Sequence, residues 1–327
     1  MRKFLVFVNI GLLFILAIAG CKKGGSPVVT PVNPIDTNPV TGSTNVYVSG
    51  ISNNEAIYWK DNSPVILGSF GSTANKIIIN GTDVYVAGAT NVTAVANAVY
   101  WKNGNIVNLG AGYAYGIAVS GTDVYVAGDV INTTGTMAAV WKNGVLTTLG
   151  IGQIAAIQVI GTDVYMAGFA MDVNGTSFAT YWKNNTPVTL DQGEATAIAL
   201  VGTDVYVAGN SYQSAVYWKN GTKVVLTANS GTMDMAVSGS DIYISGTSLV
   251  GQAFFGGYWK NGVQTLFNKT NTSVGGIAVS GSNVYVAGLS INSNQQNTAT
   301  LFNNGMPTLL SSGGTTDFAT SVAVVTH

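Results

Sequence analysis

The stretch GTDVYVAG occupies residues 81–88 and returns letter for letter at 121–128 and 202–209, with GTDVYMAG at 161–168. Looser copies stand at 43–50 (STNVYVSG), 239–246 (GSDIYISG) and 281–288 (GSNVYVAG). Self-similarity at a spacing of about 40 residues marks stacked supersecondary units, so the octapeptide is a building part before it is a chemical motif. Each copy is followed by an aromatic segment of the type AVYWKN, carrying Trp59, Trp101, Trp141, Trp182, Trp218 and Trp259, with Phe302 in the seventh place. A short run such as IVNLG (106–110) comes next, and an Ala-rich run such as IAVS (117–120) completes the unit.

Every segment is short, rich in Val, Ile, Tyr and Trp, and bounded by Gly, Asn, Asp, Ser or Thr, which favours strands over helices throughout. In DVYVAG both alternating faces are apolar, so both faces of the sheet must be covered. Four strands per unit, seven units and sheets buried on both sides predict an all-β fold: a seven-bladed β-propeller with four antiparallel strands per blade. The Gly-Thr-Asp turn joins the first and second strands of a blade, and the Lys-Asn-Gly turn joins the third and fourth. The chain starts on a second-strand motif near residue 45 and ends on a first-strand motif, SVAVVT at 321–326. The C-terminal strand is therefore expected to complete the first blade and close the ring; blades made wholly of contiguous sequence are the rival phasing. Pro64, Pro187 and Pro307 open fourth strands, the outermost, where a missing N–H donor is tolerated.

The chain begins MRKFLVFVNIGLLFILAIAGCKKGG, with two basic residues, an apolar run from Phe4 to Ile18, and small residues before its single cysteine. The run is too short for a membrane span and reads as a secretory signal, residues 1–20. Ile18-Ala19-Gly20-Cys21 resembles the lipobox of bacterial lipoproteins, and the resemblance implies cleavage before Cys21 and acylation of it. One exported thiol forms no internal disulfide, so the core alone must hold the fold. Residues 21–44 contain Pro27, Pro31, Pro34 and Pro39 without hydrophobic periodicity and read as an extended tether, leaving 45–327 as the propeller.

The whole chain is 47% hydrophobic and only 8% charged, against about 25% charged for average proteins. Arg2 is its only arginine and leaves with the signal, so the mature protein has no guanidinium fork and no basic stripe. Nucleic-acid binding is excluded on that ground.

The segment AVYWKNGNIVNLGAGYAYGIAVSGTDVYVAG (98–128) resembles the secreted bacterial HAF-type repeat, which pairs an aromatic W-x-N-G turn with a following L-G and an Ala-rich strand. Signal, tether and Thr/Asn-rich surface resemble propeller lipoproteins of the Bacteroidota kind. The resemblance covers 45–327, implies a fold and carries over no catalytic residue. It also implies an outer-membrane lipoprotein: Lys22 and Lys23 lack the acidic neighbour that retains such proteins at the inner membrane. They equally lack the Lys-plus-acid pattern of surface export, which leaves the side open.

The repeat sets aside the residues it explains. Asp83, Asp123, Asp163, Asp204 and Asp241 open second strands, and Lys102, Lys142, Lys183, Lys219 and Lys260 end the antiparallel third strands. They are expected to meet as cross-strand ion pairs, and the lysines argue against a ring of metal-binding aspartates. In the last unit both change together, to Asn283 and Asn303. The once-per-blade indoles and the tyrosines of VYV read as packing between blades rather than sugar-stacking plates.

What remains falls on the opposite face, in connections from second to third strand and from fourth to the next first strand. Tyr113, Tyr115, Phe169, Phe178, Tyr212, Phe254 and Phe255 lie there among neutral amides and hydroxyls, a composition suited to a neutral glycan or a protein surface. The unassigned acids Glu55, Asp129, Asp172, Asp191, Glu194, Asp234 and Asp317 lie there too. Asp191 and Glu194, in DQGE, form a candidate carboxylate pair for glycoside chemistry. Asp172, in MDVNGTS, sits in a calcium-like loop without the ligand count of a full one. His327, terminal and the only histidine, excludes Ser-His and Cys-His schemes. The reading is a monomeric lipid-anchored binding scaffold with no cofactor or metal and no catalytic residue assigned. A loop-carboxylate hydrolase or lyase and a structural or assembly lipoprotein are its rivals.

Overall fold

Two kinds of tight turn set the architecture. Asn80 faces Asp83 across Gly81 and Thr82, with Gly81 at φ 59°, so one turn type needs a left-handed residue only at its first corner. Lys102 faces Asn105 across Asn103 (φ 50°) and Gly104 (φ 81°), a type I′ turn with both corners left-handed. The computed structural model of the chain describes residues 43–91, 95–133 and 135–327. The signal, Cys21 and nearly all of the tether lie outside the described residues.

Among the described residues every regular element is a strand, paired antiparallel with its neighbours. β1 (Thr44–Ser52), β2 (Glu55–Lys60) and β3 (Ser63–Ile66) form the first hairpin series. β4 (Thr73–Asn80), β5 (Asp83–Thr90) and β6 (Asn97–Lys102) pair in order with the start of β7 (Asn105–Ser120). The rest of β7 pairs with β8 (Asp123–Asn132), then β9 (Gly135–Lys142) and the start of β10 (Val145–Ile160). The rest of β10 continues through β11 (Asp163–Met171) and β12 (Ser177–Lys183) to β13 (Thr186–Gln192). Three further four-stranded sheets follow. They are β14 (Glu194–Val201), β15 (Asp204–Ser211), β16 (Ser214–Lys219) and β17 (Thr222–Ala228); then β18 (Ser230–Ser238), β19 (Asp241–Val250), β20 (Ala253–Lys260) and β21 (Val263–Leu266); then β22 (Thr272–Ser280), β23 (Asn283–Ile291), β24 (Asn297–Asn303) and β25 (Met306–Leu309). The C-terminal β26 (Phe318–Thr326) pairs with β1, with Thr326 against Thr44 and Val322 against Val48, giving the order β26-β1-β2-β3.

Apolar side chains fill the space between one sheet and the next. Trp101 packs with Tyr47 and Ala56 of the preceding sheet, Trp141 with Tyr85 and Ala98, Trp218 with Tyr165 and Ala179, and Trp259 with Ala208 and Ala215. Trp59 does the same with Tyr285, Ala287, Ala299 and Leu301 of the last sheet. All six indoles are 1% exposed and Phe302 is fully buried, which supports the packing role expected of them. The glycine that ends the octapeptide makes room for this. A Cβ on Gly88 would stand 1.9 Å from the Thr73 carbonyl oxygen and 2.9 Å from the Trp101 ring, and Gly128, Gly168 and Gly288 are confined by first-strand carbonyls in the same way.

Proline stands where a donor is dispensable: Pro64, Pro187 and Pro307 lie in β3, β13 and β25, each the last strand of its sheet. Two expectations need correction. The connections at 105–120 and 145–160 are not irregular loops but continuous 16-residue strands, bent at Gly110 and Gly112 (φ 99° and 143°) and at Gly150 and Gly152 (φ 101° and 149°). The candidate aromatics are mostly not on loops either: Tyr113 and Tyr115 lie in β7, Phe169 in β11, Phe178 in β12, and Phe254 and Phe255 in β20. Backbone pairing extends past the core to the hairpin tips, leaving Tyr212 as the one candidate ligand-binding aromatic on a turn.

Candidate functional site

The two ends of the sheets differ in what their side chains are committed to. At the end carrying both turn types, Lys102 Nζ lies 2.9 Å from Asp83 Oδ2 and 5.2 Å from the centre of the Tyr85 ring. Asn103 Nδ2 donates to Asp83 Oδ1 (2.7 Å), while Asn103 Oδ1 accepts from the Val84 amide (2.8 Å). The expected pairs recur at Lys142–Asp123 (2.8 Å), Lys183–Asp163 (3.0 Å), Lys219–Asp204 (2.8 Å) and Lys260–Asp241 (2.8 Å). Lys102, with help from Asn103, holds the Asp83 carboxyl below its usual range. In the first sheet the roles are exchanged: Asp61 takes the turn position, accepting from Asn45 Nδ2 (2.8 Å) and the Val46 amide (2.8 Å). In the last sheet Asn304 Nδ2 donates to Asn283 Oδ1 (2.9 Å) without any ion pair. These groups satisfy one another and hold the turns.

At the opposite end the first strands share a β-bulge, such as that between Ala74 and Lys76 or between Thr232 and Asp234. Lys76 Nζ on β4 reaches Asp234 Oδ2 on β18 at 2.6 Å, joining strands 158 residues apart. The Met235 amide donates to Asp234 Oδ1 (2.9 Å). Asp234 is thereby fully engaged. Asp317 is engaged as well, accepting from the Asn53 amide at 3.0 Å.

Tyr113 and Tyr115 stack with ring centres 6.0 Å apart and planes 12° from parallel. Beside them Gln153 Nε2 donates to Asp129 Oδ2 at 2.8 Å, and Asp129 Oδ1 has no partner among the described residues. Asp129 is 2% exposed. Burial raises its carboxyl to about 6, against the lowering effects of Gln153, the Tyr113 backbone and Tyr115. Burial also raises the hydroxyls of Tyr113 and Tyr115, with the nearby Asp129 charge adding to it.

A second group forms where β13 and the β15–β16 turn meet. Lys223 Nζ lies 2.5 Å from Asp191 Oδ2 and donates to Ser211 Oγ (2.8 Å), and Ser211 Oγ donates to Asp191 Oδ2 (3.1 Å). The Tyr212 hydroxyl donates to Gln192 Oε1 at 2.8 Å, and Lys223 Nζ stands 5.8 Å from the centre of the Tyr212 ring. Tyr212 as a residue is 72% exposed. Lys223 holds Asp191 below the usual carboxylate range, whereas burial pushes Glu194 above it. Glu194 pairs with Asn210 in the β14–β15 ladder, while its carboxyl makes no hydrogen bond or ion pair among the described residues.

Phe169 stands opposite Gln153 and Phe178 opposite Gln192 in their strand pairings, at the borders of these two groups. Asp172 closes its own turn, with Oδ1 accepting from the Asn174 and Thr176 amides (both 2.9 Å). Those bonds, chiefly that from Thr176, lower its carboxyl. Asn292 makes the same turn without a charge, accepting from the amides of Asn294 (2.9 Å) and Gln296 (3.0 Å), so the loop has a structural role. Asp172 and Phe178 line an open depression of about 340 Å³ with Ala170, Met171 and Thr189. Phe254 and Phe255 lie on β20, Phe254 opposite Leu249 and Phe255 opposite Ser248. No group of three or more His, Cys, Asp or Glu suited to a metal occurs among the described residues. Sequence reasoning missed Lys76, Gln153 and Lys223, which stand at repeat positions whose residue changes from copy to copy, so that the repeat gives no signal for them.

No family model matches the chain, and no curated protein matches it. Its likenesses are to solved structures. A Mycobacterium tuberculosis puromycin-hydrolyzing peptidase is similar over 81% of this chain and 53% of that one, with 11% identity and a TM-score of 0.53. A Trypanosoma rangeli sialidase in complex with sialic acid is similar over 80% and 59%, with 10% identity and a TM-score of 0.45. The β-propeller domain of the Trilobed protease from Pyrococcus furiosus is similar over 83% and 95%, with 10% identity and a TM-score of 0.48. The chain thus spans about half the length of the peptidase and about three fifths of the sialidase. At such identities the likeness is one of fold. Repeated series of four antiparallel strands, joined by the same turns and packed face to face, make this an all-β protein of β-propeller fold.

Proposed function

We propose that the protein is a lipid-anchored, extracytoplasmic, seven-bladed β-propeller. Its variable face, opposite the turn modules, binds a neutral glycan. Three observations support a closed ring: the pairing of β26 with β1, the packing of Trp59 on the last sheet, and the Lys76–Asp234 link between first strands far apart in sequence. Acylation at Cys21, an outer-membrane location and a monomeric state follow from the lipobox-like segment and the self-sufficient core. Labelling with a fatty acid that is lost in Cys21→Ala tests the anchor.

The glycan reading rests on one observation. The variable face presents an open aromatic ring, Tyr212, beside an amide and an ion pair whose charges cancel: Gln192, Asp191 and Lys223. An aromatic plate with a few convergent neutral partners matches the apolar ring face and hydroxyl rim of an uncharged sugar. A glycan array probed with the chain lacking its signal should show neutral glycans bound in preference to sulfated or carboxylated ones; preference for charged glycans, or none bound, counts against it.

A hydrolase reading has one observation in its favour. Asp191 and Glu194 belong to the same connection, and their surroundings displace them in opposite directions, as in a carboxylate pair divided between acid and base. Release of reducing sugar that disappears in Glu194→Gln while binding persists would support that reading.

A further inference from the structure

The turn between β15 and β16 is two residues long, with Ser211 facing Ser214, and both corners are left-handed: Tyr212 at φ 48° and Gln213 at φ 64°. Eight other two-residue turns of the described chain have both corners left-handed, and they are built from Asn, Gly or Asp: 53–54, 61–62, 103–104, 143–144, 184–185, 220–221, 261–262 and 304–305. The preference is physical, because Gly has no Cβ to clash and Asn or Asp tolerates this region, whereas a bulky aromatic residue there is an outlier. A sequence that solves this turn cheaply in eight places has placed a strained Tyr-Gln pair in the ninth. Strain of this kind persists where the side chain is needed.

The Tyr212 side chain shows what it is held for. Its hydroxyl is tied to Gln192 Oε1 (2.8 Å), the Lys223 ammonium stands 5.8 Å from its ring centre, and Lys223 is itself fixed by Asp191 and Ser211. The ring is pinned by its backbone and its hydroxyl, yet the residue remains 72% exposed. Ordering an aromatic ring that covers no core costs entropy without folding gain, and pre-ordering it lowers the cost of binding. We infer that the strained Tyr212–Gln213 turn is a preorganised stacking subsite for a pyranose unit of a neutral glycan, with Gln192 and Asp191 at its rim to meet the sugar hydroxyls. This rests on the glycan reading and narrows it to one place.

The double variant Tyr212→Asn/Gln213→Gly restores the turn chemistry used elsewhere in the chain while removing the plate. Calorimetric titration of the full mature chain against a soluble β-glucan, a mannan and a xylan, with thermal melts of each variant, tests it. The expected result is binding of at least one polysaccharide by the unsubstituted protein, weakened roughly tenfold or more in the double variant. The same variant should melt about 2–4 °C higher through relief of strain. Undiminished binding by the double variant overturns the subsite and leaves the glycan reading standing. Weakened binding with a lowered melting temperature makes Tyr212 a structural residue and also overturns the subsite. Absence of binding to all three polysaccharides by the unsubstituted chain overturns the subsite and the glycan reading together.

Discussion

Asp129 is the acid whose surroundings resist its charge most strongly. Its carboxyl stands at about 6 in the folded protein against 3.8 as the ordinary value, so the folded chain holds its proton more tightly than the unfolded chain. Stability from this group is therefore highest at low pH and falls as pH rises from about 3.8 to about 6, an eventual cost of about 3 kcal/mol at neutrality. Asp83 and its counterparts act with opposite sign and lower on the scale, losing their contribution as pH falls below the ordinary carboxylate range. Asp129→Asn should raise stability at pH 7 and flatten the denaturation profile between pH 4 and 6; an unchanged slope there would contradict the buried, half-satisfied carboxyl. Two glycines of the opening octapeptide separate conformation from space. Gly81→Ala meets no atom within 4 Å but keeps a left-handed φ, and should cost about 1 kcal/mol. Gly88→Ala drives a methyl group into the Thr73 carbonyl, and should cost at least about 3 kcal/mol in urea denaturation.

At the scale of the strand, the outer edges of the sheets are defended unequally. β3, β13 and β25 carry proline, whereas the outer part of β7 exposes Ile106 and Val107, and that of β10 exposes Val145 and Leu146. Unpaired, apolar edges are templates for another strand. Ile106→Lys with Val145→Lys should leave the melting temperature within about 2 °C, and light scattering should show heat-induced aggregation only at higher protein concentration. The strands, their order within a sheet, the Asp–Lys pairs and the buried indoles were all legible in the sequence, because each recurs at a fixed place in the repeat. The Lys76–Asp234 pair, the Gln153–Asp129 bond and the Lys223 group were not, because each depends on residues that change from copy to copy and joins one unit of the repeat to another. Tyr212 was legible as a candidate but not as the foremost one: its strain is a property of φ, which composition does not display.

At the scale of the molecule, the two ends of the described chain meet in one sheet, β26 pairing with β1. Without β26, β1 has no partner on its inner side, and Thr44–Ile51 lose their register with Phe318–Thr326. Deleting residues 318–327 should abolish the cooperative transition seen by circular dichroism; a sharp transition in the truncated chain would argue against closure through β26. Lys76→Met, which leaves Asp234 without its cation, should be milder, about 1–2 kcal/mol for a partly exposed pair.

The pairing of β26 with β1 has another consequence. The His327 amide donates to the Ser43 carbonyl at 3.0 Å, and His327 Nε2 lies 2.8 Å from Asn45 Oδ1, so the first and last described residues are already neighbours. A short covalent bridge between them, with the chain opened at any other Gly-Thr-Asp turn, would preserve every strand pairing. Where synthesis begins is then a matter of genetic bookkeeping rather than architecture, and a circularly permuted chain opened at Gly161 should reach the same native state by a different order of assembly.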